Sequence, residues 1–163
     1  MDDIWRDALL YNRWANLQVI DECAKLNTEQ LELTVPSTYG TIAANLIHLI
    51  GAEQRYLRRL TGFEPTLSEK QSFPGLAKLR EAAVQSGDAL VEAAAGLRPG
   101  DATQVDFDGE MVAMPKSLIV VQAIHHGNDH RTQIGMILGQ HSLPVPDIDV
   151  WSYEYAKHKG AAV

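Results

Sequence analysis

His126 and His130 stand four residues apart in the run Gln122-Ala-Ile-His-His-Gly-Asn-Asp-His-Arg-Thr-Gln-Ile134. On an α-helix that spacing points both imidazoles in one direction, one turn apart. Two such rings can take adjacent positions on a single transition-metal ion, with the helix fixing the angle between them. At 100° per residue they share a face about 120° wide with Ile119, Ala123, Gln133, Ile134 and Ile137. The histidines therefore interrupt an apolar stripe, where an imidazole loses water and each ring nitrogen needs a carbonyl, a carboxylate or a metal as partner. His125 lies about 100° round the helix from His126 and is left out of the centre.

A third histidine, His48, has Thr41, Ala44, Asn45 and Ala52 on its own helical face. Small residues there let a neighbouring helix come close, and facing helices of a bundle are where metal sites are built. Three neutral imidazoles from two helices leave a coordination position open, as a catalytic metal requires. Hydrogen-bonded core histidines are the competing reading of the same pattern. Gly127 follows His126, so the pair is not His-Glu-x-x-His, and metalloprotease chemistry lacks its usual proton acceptor. Asp147 and Asp149 either orient an imidazole or cap a turn, the second being the commoner role. His141 reads as a helix-end residue and His158 as a solvated tail residue.

The elements that must position these groups are helices. Apolar residues recur at helical spacing from Asp3 to about Leu26, including Leu9, Leu10, Trp14, Leu17 and Ile20. Trp5, Tyr11 and Trp14 within that stretch read as core or dimer contacts. A second helix runs from Thr41 to Leu60 with Gly62 as stop, and a third from Leu76 to Leu97 between Pro74 and Pro99-Gly100. From Ala102 to Met114 the period changes to two around Asp108-Gly109, which predicts a hairpin with a tight turn. Pro115 opens a fourth helix that carries the histidine run and stops before Pro144. The tail holds Asp147-Ile-Asp-Val-Trp-Ser-Tyr, too apolar to stay free, and is expected to fold back over the bundle. The fold class predicted is all-α: a four-helix bundle with one small hairpin, as a single domain over residues 1–163.

Composition narrows the partners. A chain of 163 residues, 45% hydrophobic, suits one core, and a net charge of −7 argues against nucleic acid or an anionic membrane surface. The basic cluster Arg55, Arg58 and Arg59 reads as the solvated side of a helix. No apolar run approaches the roughly 18 to 20 residues that cross a bilayer. The charged N-terminal sequence Met-Asp-Asp-Ile-Trp-Arg is unlike a signal peptide, so a cytoplasmic location is expected. Cys23 is the sole cysteine, which rules out an internal disulfide or a thiolate zinc cluster and suggests a buried helix residue.

Three segments in order, Tyr11-Asn-Arg-Trp-Ala-Asn16, Asn45-Leu-Ile-His48 and His126-Gly-Asn-Asp-His-Arg-Thr-Gln-Ile134, resemble the DinB family, of the DinB/YfiT-like group. The first reads mostly as a packing signature; the paired histidines followed by Arg-x-Gln, with a histidine on the second helix, are the specific part. The resemblance implies a homodimeric bundle holding a divalent metal, commonly zinc or nickel, through His48, His126 and His130. It also implies a reaction class: transfer of a low-molecular-weight thiol such as bacillithiol, mycothiol or glutathione to an electrophilic small-molecule substrate, or thiol-dependent isomerisation. The alternative is a stress-related bundle protein that binds metal or a small ligand without turnover. Neither reading assigns a general base or a substrate-binding residue.

Overall fold

The computed structural model describes residues 4–161. Within them the order is α1 (Ile4–Cys23), α2 (Thr28–Leu31), α3 (Ile42–Thr61), α4 (Leu76–Ala95), β1 (Ala102–Phe107), β2 (Glu110–Pro115), α5 (Lys116–Gln140) and α6 (Val150–His158). The expected helix start at Asp3 and the side chain of Ile4 lie outside the described residues. The four long helices form a ring in which α1 packs on α4, α4 on α3, α3 on α5, and α5 back on α1. This is the predicted all-α bundle with its small hairpin.

Local chemistry sets the boundaries. Thr41 stays extended (ψ 166°) and its hydroxyl accepts the Ala44 N–H, so α3 begins one residue later than its apolar pattern suggests. Gly62 ends α3 in the left-handed region (φ 83°) and donates its N–H to the Arg58 carbonyl. In the hairpin, Asp108 (φ 53°) and Gly109 (φ 95°) form the two-residue turn between the paired Phe107 and Glu110. Two positive φ angles are what a turn matching the strand twist demands. Pro115 is both the last residue of β2 and the N-cap of α5, so the hairpin feeds the histidine helix with no intervening loop.

Two short helices were not anticipated. In α2 a single turn is held by the capping box of Asn27 and Gln30, too short to leave a periodic signal. The tail does return to the bundle, and it does so as α6, with Asp149 accepting the Ser152 N–H as N-cap. Tyr153 is buried between Tyr11 and Trp14, at ring centroid distances of 5.9 and 5.4 Å, and the Tyr11 hydroxyl donates to the Ile148 carbonyl. Cys23 is buried as expected, and burial followed by the nearby Glu22 charge pushes its thiol up to about 12.

The core is divided. One apolar cluster joins Leu17, Ile20, Ile42, Leu46, Ile50, Leu79, Ile134 and Ile137; a second joins Leu9, Leu57, Leu60, Leu90, Ile119 and Val120. In the chain segments that separate them, every long helix contributes a buried polar group: Asn12 and Asn16 from α1, Glu53 from α3, Ser86 from α4 and Arg131 from α5. Arg131 Nη1 donates to the side-chain oxygens of Asn12 and Asn16 at 2.7 and 2.6 Å. Both amides donate onward to Glu53 Oε2 at 3.1 and 3.0 Å, and the Ser86 hydroxyl donates to Oε1 at 2.6 Å. The Tyr11 ring lies 5.9 Å from the guanidinium carbon. The first motif is thus more than the packing signature its sequence suggested: its two asparagines bridge a buried cation to a buried carboxylate.

Gly127 makes room for this bridge. A Cβ there would sit 2.6 Å from Asn12 Oδ1 and 2.8 Å from Arg131 Nη1. Gly127→Ala is expected to destabilise the fold by about 1–3 kcal/mol, the usual cost of overfilling a packed interior, although Ala is the better helix former. A denaturation midpoint equal to or above that of the parent would show that the bridge has slack.

Candidate metal centre

His48 enters from α3, one turn after Ala44 and Asn45 and one turn before Ala52; His126 and His130 enter from α5. The ring centroids lie 4.9 Å (His48–His126), 4.6 Å (His48–His130) and 4.4 Å (His126–His130) apart. One nitrogen from each ring falls within 4.8 Å of the others, a group that could hold a metal ion. The His48 and His126 Nε2 atoms approach to 3.0 Å. All three histidines singled out by spacing are brought together. His125 is not: it is exposed and faces Asp129 at 3.9 Å.

The outer nitrogens of two rings are fixed. Asn45 donates its amide to the Gly40 and Thr41 carbonyls, which turns Oδ1 toward His130, and His130 Nδ1 donates to it at 2.9 Å. Glu69 Oε2 accepts from His48 Nδ1 at 2.8 Å. With Nδ1 carrying the proton in both rings, each Nε2 keeps a lone pair for the centre.

Glu69 and Tyr39 are the residues that sequence reasoning missed. Tyr39 stacks on His48 at 4.0 Å and meets His130 edge-on at 5.4 Å. Its hydroxyl donates to Glu69 Oε2 at 2.8 Å, and its N–H donates to Gln133 Oε1 at 2.6 Å. Both residues lie in irregular segments where no period marks them; their one signal is proximity to the α3 N-cap for Tyr39 and an acidic residue in a polar loop for Glu69. Arg55, expected in solvent, is half-buried and pairs with Glu69, whereas Arg58 and Arg59 are exposed as expected. Asp149, weighed as an orienting carboxylate, is instead the cap of α6. Tyr56 sets its ring edge against His126 at 5.6 Å.

The electrostatics suit metal ligands. Burial, then the charges of His130, His48 and Arg55, lowers His126 to about 4; burial and His48 lower His130 as well. Both rings are neutral near pH 7. Burial raises the Glu69 carboxyl, but the hydrogen bonds from His48 and Tyr39 and the Arg55 charge outweigh it and bring the group to about 2. The same hydrogen bond to Glu69, with burial, raises the Tyr39 hydroxyl. In the interior, burial raises Glu53 against its hydrogen bonds to Ser86, Asn12 and Asn16 and the Arg131 charge, and burial lowers Arg131.

A family model described as the DinB family matches residues 1–161. The chain belongs to the DinB family. A crystal structure of a DinB-like protein from Bacillus cereus ATCC 10987 is similar in fold, with TM-score 0.64 and 23% identity over 85% of this chain and 91% of that one. No curated protein matches. This DinB chain thus carries its three histidines on the two helices that the sequence motifs indicated. Among the described residues, no helix is long and apolar enough to cross a membrane.

These shifts predict how the metal-free DinB fold responds to acid. A histidine whose folded pKa is depressed leaves the unfolded chain binding more protons, so its contribution is full above the ordinary 6.5 and is lost as pH falls toward about 4. Glu69 contributes above 4.5 and loses that contribution as pH falls toward about 2. Urea midpoints should fall in both windows, and His126→Gln should flatten only the upper one. A midpoint constant from pH 6.5 to 4 in the parent protein would contradict the assignment.

Proposed function

We propose that this DinB protein binds one divalent transition metal, zinc or nickel, through His48, His126 and His130, and uses it to activate a low-molecular-weight thiol for attack on an electrophilic carbon. The observation that carries the reading is the convergence of three imidazoles whose outer nitrogens, in His48 and His130, are already engaged by Glu69 and Asn45. Donor chemistry supports the fit, because neutral imidazoles suit zinc and nickel and a three-residue set leaves a position for an incoming ligand. When bound, such an ion lowers the pKa of a coordinated thiol, so that the nucleophilic thiolate predominates near neutrality.

The chain's own residues have separate tasks. His48, His126 and His130 supply nitrogen donors; Glu69 and Asn45 fix ring orientation; Tyr39 covers the His48 face and limits water there. The transfer forms an S–C bond, expels the leaving group with its electron pair and releases the thiol proton to solvent. We further read the protein as a single cytoplasmic domain acting as a homodimer on a small-molecule substrate, without nucleic acid or membrane partners.

Protein purified without an affinity tag should contain about one divalent metal per chain by elemental analysis, and His130→Ala should lose it. Glu69→Gln should weaken metal affinity about 10- to 100-fold, as loss of a carboxylate that orients a ligating imidazole does. In the cobalt-substituted protein, adding a thiol should change the visible spectrum. A spectrum blind to bacillithiol, mycothiol and glutathione would remove the thiol step and leave a metal-binding protein without turnover; metal content unchanged in His130→Ala would remove the metal as well.

A further inference from the structure

The helix faces that carry the histidines continue toward the hairpin. On α5, His130, His126, Gln122 and Leu118 follow one another every four residues; on α3, His48 is followed by Ala52, Tyr56 and Arg59 along the same side. From His126 to Leu118 this path runs two helical turns, about 12 Å, toward the hairpin. Beside it lies a cavity of about 460 Å³ walled by Tyr56, Arg59, Phe107, Met114, Leu118 and Gln122. That volume is in the range that holds a small molecule.

The walls indicate what it holds. Phe107 and Leu118 are 51% and 52% exposed, and Val121 beside them 44%, a cluster of large apolar groups left facing water. Tyr56 is shared between cavity and centre, since its ring touches His126 and its hydroxyl accepts from Gln122 Nε2 at 3.4 Å. Arg59 is the one cation in the wall. Arg55, one turn earlier, is paired with Glu69, whereas Arg59 has no carboxylate partner among the described residues.

We propose that this groove is the acceptor pocket, taking the apolar body of an electrophilic substrate whose carboxylate pairs with Arg59 while its reactive carbon reaches the histidine centre past Tyr56. The inference rests on the metal-dependent transfer proposed above. It adds the substrate class: an apolar carboxylic acid long enough to reach the centre from Arg59, which lies about 16 Å along α3 from His48.

The test uses the full-length, zinc-loaded protein with octanoate and 1-octanol as probes, each displacing the fluorescent anion anilinonaphthalene sulfonate. Octanoate should displace it with one site per chain. Arg59→Ser should weaken octanoate about threefold, as expected for an exposed ion pair, and leave octanol unchanged. Val121→Asp should weaken both about tenfold or more. Phe107→Ser, at an exposed hairpin position where folding is not at stake, should weaken both in the same sense. Equal octanoate binding in the parent and all three variants overturns the proposal. So does a Val121→Asp protein that sediments as a monomer where the parent is a dimer, with no octanoate bound by either, because the groove is then a contact between copies. Zinc content is measured in parallel: zinc retained without octanoate binding sinks the pocket alone, and octanoate binding without zinc sinks the metal reading and the acceptor role with it, leaving a groove that binds carboxylic acids.

Discussion

The bridge from Arg131 through Asn12 and Asn16 to Glu53 is the constraint on which the bundle depends. A guanidinium and a carboxylate inside a protein cost several kcal/mol each to desolvate, and hydrogen bonds offset that here through Nη1 of Arg131, while its Nε and Nη2 are buried without a partner. Here both protons on one guanidinium nitrogen find amide oxygens, and both amides pass the polarity on to a single carboxylate oxygen. The arrangement closes only when α1, α3 and α5 stand in one register, with α4 joining through Ser86. Apolar clusters on either side are more forgiving, since hydrophobic side chains of similar volume exchange with little penalty. The polar layer therefore sets the register, and the apolar halves supply the bulk of the burial.

The histidine centre inherits that register. Glu53 lies five residues after His48 on α3, and Arg131 immediately follows His130 on α5. Slipping either helix by a turn would strand a buried charge and separate the rings by the same movement. Site and scaffold are thus fixed by one set of hydrogen bonds. The surrounding charges are matched as well: Glu69 faces a histidine, a tyrosine hydroxyl and Arg55 together, so its negative charge is held close to the centre.

How much of this was legible in the sequence depends on whether periodicity carried it. The long helices, the hairpin at Asp108-Gly109 and the histidine face all follow from spacing, because each repeats a signal over several residues. Arg131 points to the other side of α5, and its role shows only when its partners on α1 are placed beside it. Asn12 and Asn16 look like packing for the same reason: their meaning is a contact across 119 and 115 residues of chain. Tyr39 and Glu69 sit in loops, where pairing is decided by tertiary approach and no local rule announces it. The tail's return was readable from its apolar content, but α6 itself is one short helix, and the commoner capping role read for Asp149 did not reveal which helix it starts.

The junction at Pro115 limits how this fold can change length. The hairpin's turn, Asp108 and Gly109, is exposed, so an extra residue between Phe107 and Glu110 merely enlarges the turn. At the root, β2 becomes α5 without slack, and the Lys116 N–H is tied to the Asp101 carbonyl. One residue inserted there would rotate everything downstream by about 100°, carrying His126 and His130 off their face and Arg131 out of its bridge. Insertions and deletions are therefore tolerated at one end of the hairpin and forbidden at the other, a few residues away.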